Sequence, residues 1–491
     1  MFRFVIAVGL ALLASRSFAE ELAPVAGPRL SLDEAVHRAL ERNKSLKVEA
    51  FFRSIARANL LSAAGHFDPS LNFRRSYAED GSPASTGPLV TQLTQTDDYS
   101  LSLDGLTPWG LSYSLGGSAQ NRRGTFNRYA DHYDTFGGVS VTQPLLRGFG
   151  FGANLAGVRI AKADRAISDW TFRQSAISTV TRVVIAYSDL VFANENLLIA
   201  RRARDLVDSL VESNARRFKA GSMSESDVLQ ARAQAAQRGE AILFAERAVR
   251  DSDNALRQLI GEDAFPLSGP LLAVETPAQA DMTVNPADDL KAAYELRPDY
   301  QSARLGITRR RANDALARNQ LLPRVDAVGS YGYNGLDRDF ATSRRMVSNE
   351  DNRSYSAGVV VSVPLTFAEG RGRARAARFE VRQAEADLER FAQEIALGLA
   401  NAAGQIETTR QRVVATRRAY ELANQALDGE LKKLQAGTTT TFVVLNLQTN
   451  LTSIESNLSR TLADQRRALA SYERERGTTL ARYQIELKPG N

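Results

Sequence analysis

The 491-residue chain has no cysteine and only three histidines, His37, His66 and His132. Lacking cysteine, it has no disulfides, no thiolate metal sites, no cysteine nucleophile and no lipid attachment through an N-terminal cysteine. Three histidines this far apart leave almost no material for a zinc site or a histidine-based triad. After the N-terminus no run of 18 consecutive apolar residues occurs, so no transmembrane helix is expected there. Charge of one sign is scarce too. An excess of +6, from 62 Lys+Arg against 56 Asp+Glu, is too small over this length to point to nucleic acid. The composition, 43% hydrophobic and 24% charged, is that of a folded protein. No catalytic set, metal or cofactor is expected.

The first 19 residues read as a signal peptide. Arg3 supplies a positive start, Phe4 to Ala14 is an apolar stretch too short to span a bilayer, and Ser17-Phe18-Ala19 offers small residues for cleavage before Glu20. The mature chain is expected to be exported. Any part of it that crosses a membrane must do so as strands.

Self-similarity organises the rest. Arg57-Ala58-Asn59 recurs as Arg311-Ala312-Asn313, and Pro69 matches Pro323 at the same offset of 254. At a shorter offset Pro144 matches Pro364, and Ala220-Gly221 matches Ala436-Gly437. The expected division is a first repeat over 20–260, a connector over 261–286 rich in proline, a second repeat over 287–477 and a tail over 478–491. Each repeat opens with a helix, about 31–65 and 287–321. Ser31 with Glu34 three residues on forms a capping box for the first.

Segments with period two follow. Leu71, Phe73 and Tyr77 oppose Asn72 and Arg74, and Val139 and Val141 oppose Ser140 and Thr142. In the second half Tyr331 and Tyr333 share a face, as do Tyr355, Val359 and Val361. Strands that are apolar on one side and polar on the other suit a membrane barrel, although a soluble sandwich would alternate likewise. Then come long proline-free helices. Ile177, Val184, Val191 and Leu198 recur every seven residues, a coiled-coil seam on a helix expected to reach about 100 Å. Gly221 breaks that helix and Gly437 breaks its counterpart.

Strands followed by deep helical hairpins, twice over in an exported chain, resemble the TolC-type outer-membrane efflux protein family. Three motifs bear the likeness: Ser31-Leu-Asp-Glu-Ala-Val-His-Arg-Ala-Leu with Asn43, Gln143-Pro144-Leu145-Leu146-Arg147-Gly148, and Arg217-Phe218-Lys219-Ala220-Gly221 with Asp227-Val228-Leu229. The resemblance covers residues 31 to about 477. It implies an α+β fold, a homotrimer whose outer-membrane β-barrel has four strands per chain, or six, continued by an α-helical coiled-coil barrel in the periplasm. It also implies a periplasmic adaptor and an inner-membrane RND or ABC transporter as partners, alongside outer-membrane lipid. On this likeness Ala220, Gly221, Asp227, Val228, Leu229, Ala436, Gly437, Val444 and Leu445 form adaptor-docking tips. Thr439, Val443 and Asn446 line the pore entrance. Pro144, Gly148, Pro364 and Gly370 mark the strand-to-helix junctions.

Two departures from the family pattern stand out. Tyr99, Leu101 and Leu103, then Trp109, Leu111, Tyr113 and Leu115, form two further alternating runs. They read as an elaborated extracellular hairpin, with two more spanning strands as the alternative. At the second tip four threonines follow Gly437, where the family often has aspartates, so an acidic selectivity ring is not expected. A trimeric coiled-coil spacer or adhesin, and an exported enzyme on a barrel scaffold, are the readings from other classes. Neither explains two hairpins with strands between them.

Overall fold

A computed structural model of the chain describes residues 29–83, 91–262, 271–273 and 284–487. The signal peptide and Pro266, Pro270 and Pro277 of the connector lie outside these residues.

β1 (Arg29–Leu30) leads into α1 (Leu32–Arg42) and α2 (Lys44–Ala64). Four strands follow: β2 (Ser70–Pro83), β3 (Thr91–Leu106), β4 (Ser112–Gly124) and β5 (Tyr133–Pro144). A short α3 (Phe151–Asn154) opens the hairpin of α4 (Ala156–Lys219) and α5 (Glu225–Ile260). After β6 (Leu272–Ala273) come α6 (Pro286–Leu296), α7 (Pro298–Gln320), β7 (Arg324–Asp337), α8 (Phe340–Ser348) and β8 (Asn352–Ser362). The second hairpin is α9 (Ala368–Gln435) with α10 (Thr441–Arg476), and α11 (Thr479–Arg482) closes the described chain.

Both opening helices are broken at the same place. Asn43 ends α1 and caps α2 by accepting from the Leu46 amide at 3.0 Å. Arg297, 254 residues later, separates α6 from α7, with Pro298 supplying the first helical turn.

Contacts divide the chain into two compact units. One comprises residues 1–38, 183–280 and 413–464. Within it Val207 and Leu210 of α4, Ala235 of α5, Leu427 and Leu434 of α9, and Val444 and Leu445 of α10 make one core. The end of α5 is pinned by Arg257, which meets Asp253 at 2.9 Å and Glu262 at 3.0 Å. Arg38 of α1 reaches the same Glu262 at 3.0 Å.

The other unit comprises residues 39–182, 281–412 and 465–491. It holds a fully antiparallel sheet in the order β2-β3-β4-β5-β7-β8. In the same unit, Leu399 and Ile406 of α9 pack with Leu469 and Tyr472 of α10.

Six strands in one sheet correct the expectation of an extracellular hairpin over the runs around Tyr99 and Trp109. β3 pairs with β2 along all of β2, from Ser70↔Asp104 to Pro83↔Thr91, and β4 pairs with β3 and β5. The β3–β4 turn lies at the end of the sheet where β5 enters α3, the opposite end from an extracellular loop. Tyr99, Leu101 and Leu103 lie in β3 and Tyr113 and Leu115 in β4, while Trp109 and Leu111 belong to the turn between them.

The heptad seam also needs correction. Ile177 and Val184 are buried, but Leu198 is 51% exposed, while Ile199 beside it is 2% exposed. A straight α-helix drifts about 20° per heptad from a 3.5-residue repeat, enough to move the buried stripe by one position over three heptads.

Candidate functional site

The two tips are the same structure, bond for bond. In the first, the amides of Ala220, Gly221 and Ser222 donate to the carbonyls of Arg216, Phe218 and Arg217 at 3.1, 2.9 and 3.0 Å. In the second, the amides of Ala436, Gly437 and Thr438 donate to those of Lys432, Leu434 and Lys433 at 3.1, 3.2 and 3.0 Å. Ser222 and Thr438 each add a hydroxyl bond to the same carbonyl, at 3.0 and 3.1 Å. Gly221 and Gly437 sit at φ +70° and +74°, where a side chain is strained and glycine ends a helix cheaply. In the first tip Ser224 caps α5, accepting from the Asp227 amide at 3.2 Å and donating to its carboxylate at 2.6 Å.

The expected docking residues divide. Ala220, Gly221, Leu229, Ala436 and Gly437 are exposed, Leu229 by 56%. Asp227 is half-buried and used as the cap. Val228, Val444 and Leu445 are buried at 5%, 0% and 6% exposure and belong to the protomer's own core, so they are not available as contacts. Phe442 and Phe218, exposed by 57% and 44%, join Leu229 and Val443 among the apolar side chains that the tips do present. Residues following a cap alternate between core and surface, and the sequence spacing did not say which face was which.

At the expected pore entrance, Val443 and Asn446 lie three apart on α10 and are both exposed. Thr439 precedes the helix, so it does not extend their helical face. Its hydroxyl instead bonds to Glu430, and this bond together with one from Lys433 holds the Glu430 carboxyl below the usual range. Lys433 Nζ stands 3.1 Å from the Glu430 carboxylate, so the acid at this tip has a partner of opposite charge.

The first strand-to-helix junction is built from glycines and amides. Pro144 ends β5 opposite Asp326. Gly148, at φ +86°, donates its amide to Asn319 Oδ1 at 2.7 Å and accepts from Asn154 Nδ2 at 2.7 Å. Gly150 donates to the Trp109 carbonyl at 2.9 Å, tying the β3–β4 turn to the start of α3. At the second junction Pro364 follows β8 and is exposed. Gly370 lies in the first turn of α9, where a Cβ would stand 3.2 Å from Leu321 at the end of α7.

The register gives the sheet two distinct faces. One carries Leu71 and Phe73, Leu101 and Leu103, Tyr113 and Leu115, Val139 and Val141, Tyr331 and Tyr333, then Tyr355 and Val359, in rows that cross all six strands. Leu71, Phe73 and Tyr355 are 72%, 70% and 70% exposed within the protomer. The opposite face carries Asn72, Ser102, Ser114, Ser140, Ser330 and Ser356. An apolar, tyrosine-rich outer band with a polar inner face is what a barrel wall in lipid requires. The sequence reading missed α8, which is docked on the apolar face. Its signal was Asp339 as N-cap, accepting from the Thr342 amide at 2.9 Å, before Phe340, Ser343 and Val347 at helical spacing.

A family model described as outer membrane efflux protein matches residues 35–262 and 290–474. The chain belongs to this family. It is similar to outer membrane protein TolC of Vibrio cholerae, with 26% identity over 304 residues, 62% of this chain and 68% of that one. To the alkaline protease secretion protein AprF of Pseudomonas aeruginosa it is 26% identical over 354 residues, 70% and 69% of the two chains. The solved structure of the outer-membrane channel OprN superposes with a TM-score of 0.71 at 19% identity, covering 91% of this chain and 89% of that one. Family and fold are those of channels. This efflux protein is an outer-membrane efflux or secretion channel with a periplasmic helical part, and the spacer and barrel-enzyme alternatives are not favoured.

Proposed function

We propose that three copies of the chain make one channel, a passive conduit that takes cargo from a periplasmic adaptor and an inner-membrane RND or ABC transporter. The pump supplies the energy, the adaptor meets the exposed tip residues, and the protein offers a water-filled path outward. We further read the chain as two repeats, 20–260 and 287–477, joined by a connector over 261–286. The sheet is the observation that supports this reading. β2 and β8 each leave one edge unpaired, and an open edge is not tolerated in lipid. Six strands are too few to enclose a lumen. Joined edge to edge, three copies close about eighteen strands, in the range where barrels hold an aqueous channel. Four strands per chain would give about twelve, so the lumen here is the wider one.

Planar-bilayer recording of purified, tip-trimmed trimer tests the conduit. A stable open conductance is expected, and electrical silence of inserted protein would end the reading. The assembly has its own test, since the chain has no native cysteine. Cysteine pairs scanned along β2 and β8 should yield disulfide-linked trimers. A ladder that stops at dimers would sink edge-to-edge closure.

A further inference from the structure

α8 occupies the apolar face of the sheet, the face that a bilayer covers, and its seat is built into the strands. A Cβ on Gly335 would stand 1.9 Å from the Ser343 carbonyl oxygen, and one on Gly137 2.8 Å from Val347. At Gly335 the clash is with backbone, so only glycine lets the helix lie this close, and at Gly137 a side chain would have to displace Val347. Ser343 Oγ is 2.8 Å from Thr135 Oγ1 and donates to the Tyr133 carbonyl at 3.0 Å. The Phe340 ring packs on Tyr133 with centroids 5.7 Å apart.

Docked this way, α8 forms one wall of a depression of about 460 Å³. Leu101 and Leu115 lie in its floor, and Leu71 and Phe73 of β2 line its far side. That volume is in the range of ligand sites, which run from about 300 to 1,000 Å³. Two guanidinium groups border it. Arg344 of α8 lines the depression directly. Arg75 lies over the ring of Tyr99, 5.3 Å from its centroid, and Tyr99 is also part of the lining. The register sets Arg75, Tyr99, Ala119 and Thr135 in one row across β2 to β5, and Thr135 touches Ser343, the neighbour of Arg344. In this row Thr135 and Gly335 are each two residues from the outward ends of β5 and β7, so both arginines stand level with that end of β5 and β7, while β2 and β3 run on eight residues beyond it to Pro83 and Thr91. Neither makes an ion pair among the described residues. A charge on the lipid face is costly at the bilayer midplane and tolerated at headgroup level, where anions are at hand.

Resting on the reading of this face as the lipid-facing wall, we propose that the depression binds an outer-leaflet lipid. It would be a multiply acylated glycolipid bearing phosphate. Acyl chains lie against Leu71, Phe73, Leu101, Leu115 and Phe340, and the phosphate is held by Arg75 and Arg344. Guanidinium groups match phosphate oxygens in pairs, and an apolar trough beside them selects an amphiphile over a free ion.

Native mass spectrometry of the intact trimer in neutral detergent tests this, with bisphosphorylated lipid A as the probe. Dephosphorylated lipid A, phosphatidylglycerol, phosphatidylcholine and inorganic phosphate are the comparison probes. Wild type should retain lipid A at least about tenfold better than each of them, and Arg75→Ala with Arg344→Ala should lose about tenfold. The double variant should no longer distinguish lipid A from its dephosphorylated form, a change that a general loss of packing would not produce. Equal retention of lipid A by the variant, or of phosphatidylglycerol or dephosphorylated lipid A by wild type, would overturn the proposal. So would displacement of lipid A by inorganic phosphate at equal concentration. Bilayer conductance of the variant should match wild type, so failure here is separable from failure of the conduit.

Discussion

Arg257 and Glu473 occupy the same position in the two helical hairpins, 216 residues apart, both buried and opposite in charge. Each lies four residues before the glycine that ends its helix, Gly261 or Gly477. Arg257 has two carboxylates within 3.0 Å. Glu473 has Arg482 at 3.6 Å, and burial pushes its carboxyl up to about 7 despite Arg482 and Arg476.

A raised carboxyl value means that folding favours the protonated form. The stability it contributes is fully present below the ordinary glutamate value near 4.3 and is lost as pH rises through about 7. Glu473→Gln should therefore raise the apparent Tm at pH 8, by the equivalent of about 1–3 kcal/mol, and leave it unchanged at pH 4.5. Calorimetry at the two pH values checks this. The same gain at both would assign the effect to packing rather than charge.

The β3–β4 turn leans on the junction through a backbone contact. A Cβ on Gly110, which sits at φ +102°, would stand 2.4 Å from the Gly148 carbonyl oxygen. Gly110→Ala should cost about 1–3 kcal/mol through strain and displacement, read as a lower Tm and fewer heat-resistant trimers. Gly152→Ala, where nothing lies within 4 Å, is the matched control and should be neutral.

Core and contact roles at the tips separate by substitution. Leu229→Ser with Phe442→Ser removes exposed apolar surface and should abolish export while trimers still reach the outer membrane. Leu445→Ala opens the buried cluster and should cost about 2–5 kcal/mol of stability. Crosslinking to the adaptor in native envelopes distinguishes them. Undiminished crosslinking by the serine pair would move the docking site elsewhere.

At the pore entrance, exposed Asn446 is uncharged and Glu430 is paired with Lys433. Wild-type channels should show little block by multivalent cations. Asn446→Asp places one carboxylate per chain on this face, and cation selectivity and block should appear and weaken at high salt. Strong block in wild type would mean that other acids line the mouth.

The long hairpins, the tip glycines and the junction glycines were legible because each rests on a local rule: period, helix stop, tight turn. α8 aside, whose cap and spacing are local, what stayed hidden depends on partners distant in sequence. Nothing in Tyr99 to Leu115 says that β3 and β4 insert between β2 and β5, because alternation marks a strand and not its neighbours. Val228 and Leu229 are adjacent and equally apolar, yet one is core and the other surface, a choice made by how the two hairpins pack. Leu198 gave way to Ile199 through helix drift that a heptad count ignores.

The seam between β5 and β7 also governs when the sheet can form. Tyr133 pairs with Asp337 and Pro144 with Asp326, contacts that join positions about 200 residues apart. During export the first four strands emerge long before β7 and β8. Until then β5 waits with a bare hydrogen-bonding edge and a greasy flank, the combination most prone to capture by another unfinished chain. Maturation is thus paced by delivery of the second half.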